Sequence, residues 1–279
     1  MHWLILAICS DFVFLQLFKY SQRQGHAAPV VVATNYLMLA SGVLIYLILT
    51  GASWPPLAAI ITGVVSGTVF WFALWTLNYA LGVAPVGAVL TAFRMSIVLP
   101  MALGVWIWHE VMSVTQVCAL LLTLVALSLM TAGIGQRGRR TTGKTFGLLA
   151  LVFLLQGLCL TLMRSVHYAG LDPYLLHIIV AAGITGGSVG YGFILFRRIP
   201  VPRRSLALGA GIGLYNAISM PVVFIALSHF PGTFYFPITG CSVVVIDNLF
   251  AHYFWKERLS RLTVIGVGVA VASLLLMMA

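Results

Sequence analysis

Residues 57–81 read LAAIITGVVSGTVFWFALWTLNYAL, 25 consecutive positions without Lys, Arg, Asp, Glu or His. As a helix this run rises ~37 Å, enough to cross the ~30 Å hydrocarbon core of a bilayer. Lipid offers a peptide group no hydrogen-bond partner, so a span must be a helix or part of a closed barrel. A barrel strand alternates polar and apolar side chains, and this run does not. Comparable runs follow at 2–19, 29–49, 85–108, 114–132, 145–167, 173–196, 205–228, 232–255 and 262–278, which makes ten in all. Gly25, Pro29, Pro55, Pro56, Pro85, Pro173, Pro200, Pro202 and Pro231 punctuate them at or near their ends. The expected fold class is an all-α polytopic membrane protein with ten transmembrane helices.

Composition agrees. Apolar residues make up 61% of the 279 and charged residues 7%, with a mean hydropathy of +1.08. A soluble domain carries about 25% charged residues, so water is not the main solvent here. The net charge of +10 would suggest nucleic acid in a soluble protein. Here the basic residues sit in short connections, where topology and anionic headgroups are the usual cause, and no nucleic-acid module is visible. Cys9, Cys118, Cys159 and Cys241 lie within the runs without a CxxC pair and read as small core hydrophobes. The first run lacks a basic segment before it, so it reads as a span rather than a cleaved leader.

Lys19 and Arg23 follow run one; Arg137, Arg139, Arg140 and Lys144 follow run five. Arg197, Arg198, Arg203 and Arg204 follow run seven; Lys256, Arg258 and Arg261 follow run nine. All belong to odd-numbered connections, which the positive-inside rule places in the cytoplasm. Ten spans then leave both termini outside.

The chain also repeats itself. Trp108-His109-Glu110-Val111-Met112-Ser113 resembles Trp255-Lys256-Glu257-Arg258-Leu259-Ser260 at an offset of 147 positions. Each is followed by an apolar run ending near Leu-x-Leu-Met. The expected organisation is a five-helix repeat at 1–135, a basic cytoplasmic linker at 136–144 and a second five-helix repeat at 145–279. Because five is odd, the repeats face opposite ways, an arrangement that places a binding site near midplane in secondary transporters.

Asp11, Arg94 and Asp247 are the three charges deep inside apolar runs. Each costs ~2.5–3.5 kcal/mol or more at bilayer depth unless it faces protein or water. Asp11 and Asp247 suit proton or cation coupling or an ion pair; Arg94 stays charged and suits a carboxylate partner or an anionic substrate group. Run three sets Thr68, Trp71, Trp75 and Asn78 on one face, readable as an aromatic wall for a ring or cation or as helix packing. Gln156, Tyr215, Asn216 and Ser219 add neutral polar groups near midplane, and Phe236 shares a face with Gly240, Val243 and Asp247. Glu110 and Glu257, at the ends of runs four and nine, are expected to be solvated and paired with nearby Arg or Lys. His109, His167, His177 and His229 have no metal-ligand spacing, so no metal and no cofactor is expected. Gly183/Gly187, Gly186/Gly190 and Gly209/Gly213 form GxxxG pairs, open to packing within the fold, to dimer formation or to helix rocking.

The ten runs, the two halves and the doubled Trp-x-Glu-x-x-Ser junction resemble the drug/metabolite transporter superfamily, its EamA-like branch most. Phe18-Lys19 and Asn35-Tyr36 resemble a bacterial EamA-like subgroup. The resemblance covers almost the whole chain. It implies alternating access by inverted halves, with spans one, three, four, six, eight and nine around a central cavity and spans five and ten at the periphery. The related small multidrug exporters carry an essential acidic residue midway along their first helix, and Asp11 matches that location. Pro100 aligns with Asp247 across the repeat, so the halves are not chemically equivalent. Many EamA-like chains place basic residues at the N-terminus and between spans two and three, and this one does not.

The expected function is secondary active transport of a small polar metabolite, amino-acid-like or zwitterionic, with proton coupling and no enzymatic step. The expected partners are that solute and membrane lipids, in a monomer or homodimer. The alternatives are a cationic-drug/proton antiporter and a translocase for lipid-linked headgroups.

Overall fold

The computed structural model describes residues 1–84, 86–132, 143–254 and 260–278. Among them all regular structure is helical: α1 His2–Arg23, α2 Ala28–Leu49, α3 Leu57–Val83, α4 Val86–Met95, α5 Val98–Trp106, α6 Val114–Ala132, α7 Gly143–Tyr168, α8 Leu175–Phe196, α9 Arg203–His229, α10 Gly232–Tyr253 and α11 Arg261–Met278. A 3₁₀ turn at Asp172–Tyr174 precedes α8. Eight segments are long and apolar enough to cross a bilayer. Two more apolar helical stretches, Val114–Leu129 and Arg261–Met277, are shorter. Pro85, the linker arginines Arg137, Arg139 and Arg140, and the second junction from Trp255 to Leu259 lie outside the described residues.

The fourth run is not one helix. α4 and α5 are separated by a turn at Ser96 and Ile97. Pro100 explains the break: it has no N–H for the Ser96 carbonyl one turn back, and its ring crowds that carbonyl. The Leu99 N–H takes the orphaned oxygen instead, at 3.0 Å, and the Ser96 hydroxyl donates to the Phe93 carbonyl at 2.6 Å.

The helices assemble into two compact units, Met1–Phe72 with Leu162–Ser228 and Ala73–Thr161 with His229–Ala279. Each unit takes residues from before and after the 136–144 segment, and α3 and α7 each contribute to both.

In the first unit α2 packs along α8, and glycines set the spacing. A Cβ at Gly183 would stand 2.7 Å from the Tyr36 carbonyl oxygen, and one at Gly187 2.5 Å from the Leu37 side chain. α9 meets α2 the same way: Cβ atoms at Gly209 and Gly213 would stand 2.9 Å from the Val31 oxygen and 2.6 Å from the Asn35 oxygen. The GxxxG pairs therefore serve close packing inside this unit, where a missing side chain lets backbones touch.

In the second unit α6 packs along α11. A buried hydrogen-bond chain runs from the Thr123 hydroxyl to Ser273 Oγ at 2.6 Å and from the Ser273 hydroxyl to the Ala119 carbonyl at 2.7 Å. The buried Ala80, Val89 and Val152 join α3, α4 and α7. α10 lies against α5, α6 and α11.

Candidate functional site

In the first unit the polar groups of the helix interiors meet. The Tyr215 hydroxyl donates to the Ser10 carbonyl at 3.1 Å, and Asp11 is the next residue along α1. One residue on, the Asn216 amide donates to Asn35 Oδ1 at 3.4 Å, and the Ser219 hydroxyl donates to Asn216 Oδ1 at 3.1 Å. Asn35, Asn216 and Ser219 are all buried. This places Asp11, Tyr215 and Asn216, three residues singled out in the sequence, on one stretch of α1, α2 and α9. Asn35 is the member that sequence reading missed as a site residue; a lone Asn in an apolar run was the available signal. Trp71 is buried in the same unit, its ring 5.3 Å from that of Phe193 and its Nε1 close against Gly190.

The second unit holds the rest. Arg94 sits half-buried in the last turn of α4, where the helix dipole favours a cation, directly before the Ser96–Ile97 break. Gly157 of α7 faces that break: a Cβ there would stand 3.1 Å from the Ser96 carbonyl and 2.7 Å from Leu99 Cβ. Gln156 is its neighbour and is half-buried. A Cβ at Gly240 of α10 would stand 3.9 Å from Ile97 Cγ2, and the N-terminus of α10 is bound by Glu110, which follows α5. α5 and α10 thus run antiparallel. Arg94 precedes Ile97 by three residues at the end of α4, and Asp247 follows Gly240 by seven residues on α10. Asp247 is half-buried in α10, and its neighbour Asn248 donates to the Val244 carbonyl at 2.8 Å. None of Asp11, Arg94 and Asp247 stands alone.

The aromatic residues of this unit differ in setting. Trp75 is 38% exposed and stacks on Tyr79, with ring centres 6.1 Å apart. Asn78 donates to the Leu74 carbonyl of its own helix at 2.9 Å. Phe236 is buried, edge-on to Tyr235.

Two charged residues depart from expectation. Glu110 is not solvated: it is 9% exposed, and its two carboxylate oxygens accept the backbone N–H groups of Gly232 at 3.0 Å and Thr233 at 2.8 Å. These are among the orphan donors of the α10 N-terminus, which also presents positive dipole charge. The turn that aims Glu110 there holds His109 at φ +52° and returns the Glu110 N–H to the Gly104 carbonyl at 3.0 Å. The second is Arg164, a fourth deep charge beside the three read from sequence. It is 3% exposed, donates to the Leu227 carbonyl in the last turn of α9 and to the Tyr168 hydroxyl at 3.1 Å, and lies over the Tyr168 ring. It closes a helix C-terminus, a use that its place near the end of run six could have suggested.

No group of three or more potential metal ligands occurs among the described residues. No family model matches the chain, and no curated protein matches it. A solved crystal structure superimposes with a TM-score of 0.80 over 100% of this chain and 98% of its own, at 12% sequence identity. That likeness is one of fold.

Proposed function

We propose that this protein is a secondary active transporter for a small polar metabolite, of amino-acid-like or related zwitterionic chemistry, coupled to protons. The observation that carries the reading is the broken α4–α5 segment, with Arg94 at its edge and its Ile97 against Gly240 of α10, the helix that carries Asp247. Non-helical backbone at bilayer depth is tolerated where it is enclosed by protein or lines a wet cavity, and interrupted helices are a recurring way to build transport sites. Within the second unit Arg94 would receive a substrate carboxylate, Gln156 would orient it, and Trp75, Asn78 and Phe236 would shape the wall. Asp11 or Asp247 would take up the coupling proton. In this reading the chain has ten spans in two inverted five-helix repeats, resembles the EamA-like family and works by alternating access in a bacterial inner membrane with both termini periplasmic.

The placement of Arg94 and Asp247 in one unit also favours a second reading. If that pair is permanent, Asp11 is left as the deciding charge and a cationic drug becomes the better substrate.

Uptake into proteoliposomes under an imposed pH gradient tests both. Asp11→Asn and Asp247→Asn are each expected to abolish proton-driven flux of a zwitterionic amino acid while the protein still elutes as a folded species. Under the second reading, Asp11→Asn alone abolishes transport, and the transported species is a lipophilic cation. Undiminished pH-dependent flux in both variants removes the acids from the mechanism.

A further inference from the structure

The first unit carries a charge asymmetry that solute transport does not use. α8 spans its 22 residues from the 3₁₀ turn to Arg197, a rise of ~33 Å. At its start lies Asp172, bonded to His167 at 2.9 Å. At its end the chain reads Leu195-Phe196-Arg197-Arg198, then Ile199-Pro200-Val201-Pro202-Arg203-Arg204 into α9. All four arginines are exposed. Lys19 and exposed Arg23, at the end of α1, belong to the same face. The turn after α1 is tied to α9 where Ser205 Oγ accepts the Ala27 N–H at 3.2 Å. No Asp or Glu occurs in 17–27 or 190–206.

The local fold turns these cations outward against ordinary helix preferences. α1, α2 and α7 end on Gly25, Gly51 and Gly170 at φ +63° to +68°, and the next residue bonds back to the carbonyl five positions earlier. α8 ends with the same motif, the Ile199 N–H on the Ile194 carbonyl at 2.9 Å, but Arg198 holds the left-handed position at φ +51°. The turn folds Ile199 inward beside Ile194, Val30, Ala33 and Leu206 and leaves both guanidiniums outside. Arg203 and Arg204 occupy the first turn of α9, where the helix dipole disfavours a cation. Directly next to the arginines, Leu195 and Phe196 are 75% and 83% exposed.

We propose that this end of the first unit is a docking surface for anionic phospholipid, with Arg197, Arg198, Arg203 and Arg204 on the headgroup phosphates and Leu195 and Phe196 beside the acyl chains. Clustered guanidiniums match phosphate in charge and in hydrogen-bond geometry. The adjoining bare apolar pair selects a partner that carries a hydrocarbon tail as well. An anionic leaflet attracts each such cation, and that attraction falls off within one Debye length. The surface does not rest on the transport reading.

Native mass spectrometry tests it on the full chain released from vesicles of equal phosphatidylglycerol and phosphatidylcholine. The wild type is expected to retain phosphatidylglycerol about tenfold over phosphatidylcholine, and to lose most of that excess in ~0.5 M salt. R197Q/R198Q/R203Q/R204Q brings the two lipids to near parity, and the R203Q/R204Q pair alone gives an intermediate value. D172N, at the other end of α8, leaves the excess unchanged. Equal retention of both lipids by the wild type overturns the proposal without recourse to a variant, as does a full excess in a folded quadruple variant. So does inorganic phosphate that raises the melting temperature as far as phosphatidylglycerol does, since the acyl contact would then be idle.

Discussion

The two units secure their interior polar groups by different means. In the first, α2 and α8 are unbroken, and their peptide groups are occupied within the helices. Glycines bring the backbones together, and the polar side chains bond one another, Asn216 to Asn35 and Ser219 to Asn216. In the second, Pro100 opens the helix, Arg94 sits at the resulting edge, and a carboxylate far along the chain closes the start of α10. The first arrangement depends on shape, with Asp11 and the buried Arg164 as its deep charges. The second depends on charge set against exposed backbone. A chain of one composition thus builds one region that resists rearrangement and another whose backbone is already interrupted beside an ionisable group.

Three substitutions would break or sharpen this contrast. The largest effect is expected at Gly213 in the first unit. A side chain there meets the Asn35 carbonyl and Met38 Cβ, both at 2.6 Å, so Gly213→Val costs about 3 kcal/mol or more by overpacking. Gly211, on the same helix, has open space, and Gly211→Val should behave as wild type. Size-exclusion profiles and melting curves in detergent compare the two; equal behaviour would show that α9 does not depend on close approach. Next comes Glu110→Ala in the second unit. It strips two charge-assisted bonds from the start of α10 and costs about 2 kcal/mol, with Glu110→Gln falling between the variants because a neutral amide accepts more weakly. Thermal melting checks the order. An unchanged Glu110→Ala melt would mean that solvent replaces the carboxylate, contrary to its burial. The smallest effect is expected for Asn216→Ala, about 1 kcal/mol from the partners left unsatisfied at Asn35 and Ser219. A loss that disappears in the Asn35→Ala/Asn216→Ala double variant would show that the two act as a pair.

Much of the helical framework was legible because hydropathy and backbone satisfaction dominate in lipid. The limits of runs two, three and nine lie within two residues of the helices that form. The effect of each proline was not legible. Pro100, Pro221 and Pro237 all fall inside apolar runs, yet α9 and α10 stay continuous around Pro221 and Pro237. Each of the three lacks the N–H that an interior helix position needs, so position in the run does not separate Pro100 from Pro221 and Pro237. Asp11 and Tyr215 could each be marked as candidates from residue type and depth, but not placed together, since 204 positions separate them.

The amino-acid order alone determined that this chain is a set of apolar helices, where they turn, and which few ionisable groups must find protein or water. Those conclusions follow from local length and from the high cost of a charge or a bare peptide group in hydrocarbon. Only the tertiary structure decided that Glu110 closes the start of α10, that Arg164 closes the end of α9, and that the glycine pairs join helices within one unit. Those outcomes depend on which distant carbonyl or N–H arrives within 3 Å. Hydropathy is blind to that distance, because any helix can satisfy its own middle while its ends must be completed by a neighbour.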